Sequence, residues 1–145
     1  MKAVRLLTTL SSRRTARTLA ASTGIFRAIV GPALLARPDA LARLLGMDSV
    51  TARRTAWLTR LLAGRETALG LGALHAALTG RPVRPWLATQ AVSDATDATA
   101  ILLAARSRHV TRTPAAALVI LASAGTLAEI LASRERPTRT AGNPQ

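Results

Sequence analysis

Two aspartates three positions apart, in "AVSDATDATAILLA" (91–104), stand in one of the most apolar parts of the chain. On a helix Asp94 and Asp97 share a face, with Gln90 one turn earlier on the same side. Paired carboxylates in such surroundings do one of two things. They hold a cation, best an arginine whose planar fork matches a carboxylate, or they move a proton as general acid and base. Two arginines sit in comparably apolar stretches: Arg27 in "TLAASTGIFRAIVGPALLA" and Arg65 in "AWLTRLLAGRETALGLGALHAALT", where Glu66 follows directly.

Aligned by depth, these residues fall near one level. Arg27 is the midpoint of its segment, Arg65 and Glu66 lie close to the centre of theirs, and Asp94 and Asp97 flank the centre of a third. A lone charge inside hydrocarbon costs at least ~2.5–3.5 kcal/mol, so mutual pairing is the cheapest arrangement. Arg27, Arg65, Glu66, Gln90, Asp94 and Asp97 are therefore expected to form one cluster, binding or structural, in which the aspartates meet Arg65, Arg27 or both. Three carboxylates face two arginines. One of them, Asp97 or Glu66, is a candidate to be held protonated or to take up a proton, and Asp94, Asp97 and Glu66 are the candidate catalytic residues. Buried Arg–Asp pairs also fix helix register with no chemistry attached.

Other chemistry is largely excluded. With no cysteine there is no disulfide, thiolate metal site or thiol nucleophile. Two histidines, His75 and His109, are too few for an ordinary zinc site, and no metal or cofactor is expected. "GRETALGLG" is not a phosphate loop, since no strand precedes it and no Lys-Ser/Thr follows. His75 reads as a packed or interfacial histidine, and glycines 64, 70 and 72 as packing contacts.

The elements that must position the cluster are four apolar segments, about 18–36, 56–79, 85–105 and 114–133. Each has the ~20 residues that cross a bilayer core, and their Gly, Ala, Ser and Thr content allows close helix approach. The last is nearly charge-free and the clearest of the four. A soluble bundle would carry a charged face along each helix, which "PAAALVILASAGTLAEILAS" and "TALGLGALHAALTG" lack. The expected fold is all-α, a four-transmembrane-helix bundle over 18–133. A basic lead-in (1–17) precedes it and a polar tail (134–145) follows. Between the first two spans, "RPDALARLLGM" (37–47) starts at Pro38, gathers Leu41, Leu44 and Leu45 on one side, and stops at Gly46. It reads as a short interfacial amphipathic helix. Trp57 and Trp86 fall at segment starts, where interfacial tryptophans belong. Glu129 sits near the end of the fourth segment, within reach of Arg134.

The net charge of +13 invites a nucleic-acid reading, but the cations are scattered among apolar segments and aromatics are only 2% of residues. Stacking platforms are thus missing, and no nucleic-acid partner is expected. Contact with the lipid bilayer and its anionic headgroups fits the pattern better. Ten cationic residues flank the side shared by the termini and the 80–84 loop, against seven on the other. The excess places both termini in the cytoplasm, in the inner (plasma) membrane.

The run "GIFRAIVGPALLARPDALARLLGM", then "LLAGRETALGLGAL", then "AVSDATDATAILLAA" resembles the small four-span bacterial membrane proteins described as DoxX-like. The resemblance covers about 18–133. It implies a four-helix membrane bundle, signature positions at Arg65, Glu66, Asp94 and Asp97, and links to quinone or thiol-redox systems; the absence of cysteine speaks against direct thiol chemistry. Two functions stand out as expectations. One is a non-catalytic accessory or scaffold bundle, working as a homo-oligomer or with a membrane partner protein. The other is a membrane-embedded acid/base enzyme, of cyclase or isomerase type, acting on a lipophilic polyprenyl, polyketide or quinone small molecule. A third, a proton-coupled transporter, lacks the inverted repeat that would support it.

Overall fold

The computed structural model describes residues 2–107 and 109–134. The tail 135–145 and the side chains of 2–13, Leu121, Glu129 and 132–134 lie outside the described residues, and with them the Glu129–Arg134 pairing. Every described element is a helix: α1 (Lys2–Ala36), α2 (Ala40–Leu44), α3 (Ser49–Arg54), α4 (Ala56–Thr79), α5 (Arg84–Arg106) and α6 (Arg112–Arg134). The all-α expectation holds.

Three boundaries differ from the sequence reading. The lead-in is not a separate element, because α1 runs unbroken from Lys2 for 35 residues, about 50 Å at the usual rise. No Gly or Pro occurs before Gly24, so nothing in that stretch stops the helix. The amphipathic 37–47 segment contracts to the five residues of α2 and ends where Gly46 adopts φ +83°, a left-handed conformation that favours glycine. A short α3 then appears that the apolar pattern did not announce. Its cap is Asp48: Oδ1 accepts from the Val50 and Thr51 amides (2.9 and 3.1 Å), and Oδ2 accepts from the Thr51 hydroxyl at 2.6 Å. The Thr51 hydroxyl, then the two amides, hold the Asp48 carboxyl below the ordinary aspartate value.

The long helices pack in two ways. α1 and α4 run antiparallel and touch along most of their shared length. The buried positions 16, 20, 24, 27 and 31 of α1 meet 59, 63, 66, 70, 73 and 77 of α4. Spacings of three and four residues keep the contact on one face of each helix. Small residues set the distance between them. A Cβ on Gly24 would lie 2.9 Å from Gly70 O and Leu74 N, and one on Gly70 would lie 2.6 Å from Ala28 N. The two backbones are therefore in contact, and neither glycine has room for a side chain.

α5 and α6 form a second antiparallel pair through the 107–111 turn. At the turn Leu45, Val110 and Ala115 are buried together, with Leu41, Ile101 and Leu118 packed against them. The Thr111 amide donates to Leu45 O at 2.8 Å, which ties the α2 end to this turn. Contact between the two pairs is sparser. At the opposite end Leu87 is fully buried among Ala16, Ala20, Ala76 and Ala77, while the Trp86 ring covers Gly72.

The interior is mostly Ala, with Leu45, Leu69, Val83, Leu87 and Val110, yet it also takes in polar groups, while many large apolar side chains lie outside. Arg27 (5% exposed), Glu66 (9%) and Gln90 (0%) are inside, whereas Leu78 (75%), Ile120 (69%), Val92 (68%), Ile29 and Leu61 are on the surface. Among the described residues one stretch, Arg14–Ala36, is long and apolar enough to cross a membrane, with mean hydropathy 1.6 and 22% of its apolar window buried. It covers the first expected segment; in α6 the apolar stretch within the described residues is Arg112–Ala128. The charges inside α4 and α5 lower their hydropathy, and these are the charges that pair with one another.

Candidate functional site

The cluster is built at the level where three helices meet. Arg27 reaches the junction from the α1–α4 seam, where it takes a position that Ala or Gly holds one turn away on either side. Its guanidinium forks: Nη1 donates to Glu66 Oε2 on α4, and Nη2 donates to Asp94 Oδ1 on α5 at 2.5 Å. Arg65, next to Glu66, donates through Nη2 to Asp97 Oδ2 on α5. The same Nη2 lies 3.5 Å from Glu66 Oε1, within ion-pair reach though without a hydrogen bond. The order of contacts is thus Asp97, Arg65, Glu66, Arg27, Asp94, five charges of alternating sign. Both ends of this chain lie on α5, so it starts and finishes on one helix and passes through two others.

Burial grades along it. The Arg27 and Glu66 side chains are 6% and 11% exposed, Asp94 18%, and Asp97 and Arg65 about a third. The Arg27–Glu66 middle is sealed in the seam, and the Asp97–Arg65 end opens toward the surface between α4 and α5. Gln90 extends the polar stripe by one turn. Its Oε1 is 3.0 Å from Thr23 Oγ1, which is equally close to Leu19 O, and its Nε2 donates to Leu69 O at 3.4 Å. A fully buried amide is thereby partnered on both ends, as buried polar groups require.

Arg27, Arg65, Glu66, Asp94 and Asp97 come together in one network in which the aspartates meet both arginines, while Gln90, one turn before Asp94, bonds instead to Thr23 and Leu69. The two aspartates do not converge on one fork. Asp94 takes Arg27, and Asp97 takes Arg65. Positions i and i+3 are about 60° apart around a helix, enough to aim one carboxylate at α1 and the other at α4. Three contributors went unnoticed in the sequence. Thr23 lies one turn before Arg27, a spacing that could have revealed it. Ser93 is buried beside Asp94, and its hydroxyl has no hydrogen-bond partner. Gly125 on α6 lies against Asp94, whose Oδ2 would be 3.4 Å from a Cβ there; only the three-dimensional fold shows it.

The remaining residues separate from the site. His75 is exposed on α4. Of the three glycines, Gly70 and Gly72 are packing contacts, whereas Gly64 faces open space. Among the described residues no group of three His, Cys, Asp or Glu side chains is placed to hold a metal ion. Chemically the arrangement can clasp three helices through charge-assisted hydrogen bonds. It also holds one carboxylate more than its arginines neutralise. No family model matches the chain, and no curated protein or solved structure is significantly similar to it.

Proposed function

We propose that the protein is a four-span bundle of the inner membrane, a non-catalytic accessory or scaffold protein whose Arg27–Glu66–Asp94 and Arg65–Asp97 contacts lie near the bilayer midplane. The observation that carries this is a combination: charged and amide side chains buried within a mostly Ala interior, and large Leu, Ile and Val side chains exposed on every long helix. In water, so large an apolar surface on a monomer marks an interaction site; in lipid it is the ordinary exterior. In this reading both termini are cytoplasmic, the arginine-rich helix ends contact anionic headgroups, and the partner is a second copy or another membrane protein. The motif likeness to DoxX-like proteins agrees with it.

The protein's lack of cysteine provides the test. Single cysteines at Met47→Cys, Arg81→Cys and Ser107→Cys, probed in intact cells with a membrane-impermeant maleimide, report sidedness. Labelling of positions 47 and 107 from outside, with 81 protected, is the expected result. All three positions on one side would contradict four spans.

One observation favours a second reading, a membrane-embedded acid/base enzyme acting on a lipophilic polyprenyl, polyketide or quinone substrate. Arg65 Nε, Glu66 Oε1 and Ser93 Oγ are buried without hydrogen-bond partners beside the charge chain, an arrangement suited to a small polar group. A native mass spectrum of the protein in mild detergent separates the two. A bare chain or clean oligomer supports the accessory role; a small-molecule adduct lost in Asp94→Asn supports the enzyme.

A further inference from the structure

We infer that the outer face of the α5–α6 pair is a binding site for one anionic phospholipid, an inference that rests on the membrane reading above. A groove of about 380 Å³ runs between these helices. It extends from Leu102 to Ala95 on α5 and from Val119 to Ile130 on α6. These stretches are about 10 and 16 Å long at the usual helical rise, close to the depth of one leaflet, which is roughly half of a ~30 Å hydrocarbon core. The lining is apolar despite its threonines. Thr99 and Thr126 donate their hydroxyls to Ala95 O and Ala122 O of their own helices, so neither hydroxyl is left to seek a partner in the groove.

The charge that selects a headgroup sits at one end only. Arg106 lies one turn beyond Leu102 and Arg112 two turns before Val119, both exposed at the α5–α6 turn. Among the described residues neither forms an ion pair. The acids at this end of the bundle are engaged elsewhere, Asp39 with Arg43 and Asp48 as the α3 cap. Long arginine side chains at a helix end reach the interface while the helix stays in hydrocarbon. An acyl chain in the groove thus brings a phosphodiester beside two cations that, among the described residues, have no carboxylate paired with them. On α5 the groove ends at Ala95, next to Asp94, whereas on α6 it continues past Gly125, which lies against Asp94, to Ile130.

The experiment is native mass spectrometry of the protein in mild detergent, with added phosphatidylglycerol or phosphatidylcholine of identical acyl chains. The expected result is one retained phosphatidylglycerol per chain, in preference to phosphatidylcholine. The preference should fall about five-fold for each of Arg106→Gln and Arg112→Gln. Ala98→Phe, which fills the groove, should abolish retention of both lipids. Equal retention of the two lipids, indifference to the arginine variants, or a dimer dissolved by Ala98→Phe would overturn the site. An alkaline wash of membranes from the expressing cells distinguishes the underlying failure. A chain released to the supernatant ends the membrane reading and the lipid site together. A pelleted chain with no lipid preference ends the site alone.

Discussion

Along α1 and α4 the backbones touch, whereas α5 reaches that pair through side chains. The first contact is made by Ala16, Ala20, Gly24, Gly31, Ala63, Gly70 and Ala77, residues whose value lies in being small. The second is made by Leu87, packed among Ala16, Ala20, Ala76 and Ala77, and by Arg27, Asp94, Arg65, Asp97 and Gln90, the most polar set in the fold. In the membrane reading proposed above the surrounding solvent is itself apolar, so hydrophobic burial gives the helices no reason to associate, and close packing or interhelical hydrogen bonds must supply it. This molecule weights the two devices differently on the two sides of one helix: α4 offers Gly70, with the single charge pair Glu66–Arg27, to α1, and Arg65 to α5. Close packing tolerates almost any partner of the right shape. A chain of alternating charges accepts one arrangement, so the polar joint specifies how the two helix pairs meet.

The most damaging change to the joint should be Arg27→Gln, which leaves Glu66 and Asp94 buried against each other. Removing one member of a buried pair costs about 3–5 kcal/mol, read as lost resistance to unfolding in detergent micelles. Should the loss prove small, the joint does not hold the pairs together. On the other side of the comparison, Gly70→Val drives a side chain into the α1 backbone at Ala28. A loss of about 1–3 kcal/mol is expected from such overpacking, with Gly64→Val, in open space, as the harmless control. The outer pair is weaker, because Arg65 and Asp97 are a third exposed. A double-mutant cycle with Arg65→Gln and Asp97→Asn should give a coupling of about 0.6 kcal/mol, typical of interhelical hydrogen bonds in membranes.

The smallest effect lies outside both contacts, at the α3 cap. The folded Asp48 carboxyl titrates below the unfolded value of 3.8. Its contribution is therefore complete above that value and is lost as pH falls through the lower folded one. Helicity of α3, followed by amide exchange, should be constant from neutral pH down to about pH 4 and decline only below it. Asp48→Asn should flatten the decline.

The difference between seam and joint also decides what could be read from sequence. The cluster was legible because depth is a one-dimensional quantity: Arg27, Arg65, Glu66, Asp94 and Asp97 sit at matching distances from their segment ends, and isolated charges there have only one another. Which arginine meets which aspartate depends on rotation about each helix axis, and no local pattern records that. The α1–α4 seam was half legible, since small residues were visible while the register that opposes Gly24 to Gly70 joins positions 46 apart in the chain. The contact of Gly125 with Asp94 left no trace at all. α3 is a different kind of omission, because Asp48 with Thr51 three residues on is a recognisable cap and only the search for apolar periodicity passed over it.

The central claim is that Arg27 and Asp94 hold the two helix pairs together by direct interaction. It is tested most directly by unfolding the wild-type protein, Arg27→Gln, Asp94→Asn and the double variant in the same lipid–detergent micelles. The account predicts that the double variant loses less than the sum of the single losses, by at least about 1 kcal/mol. Losses that simply add would contradict it, and would leave the polar joint without an energetic role.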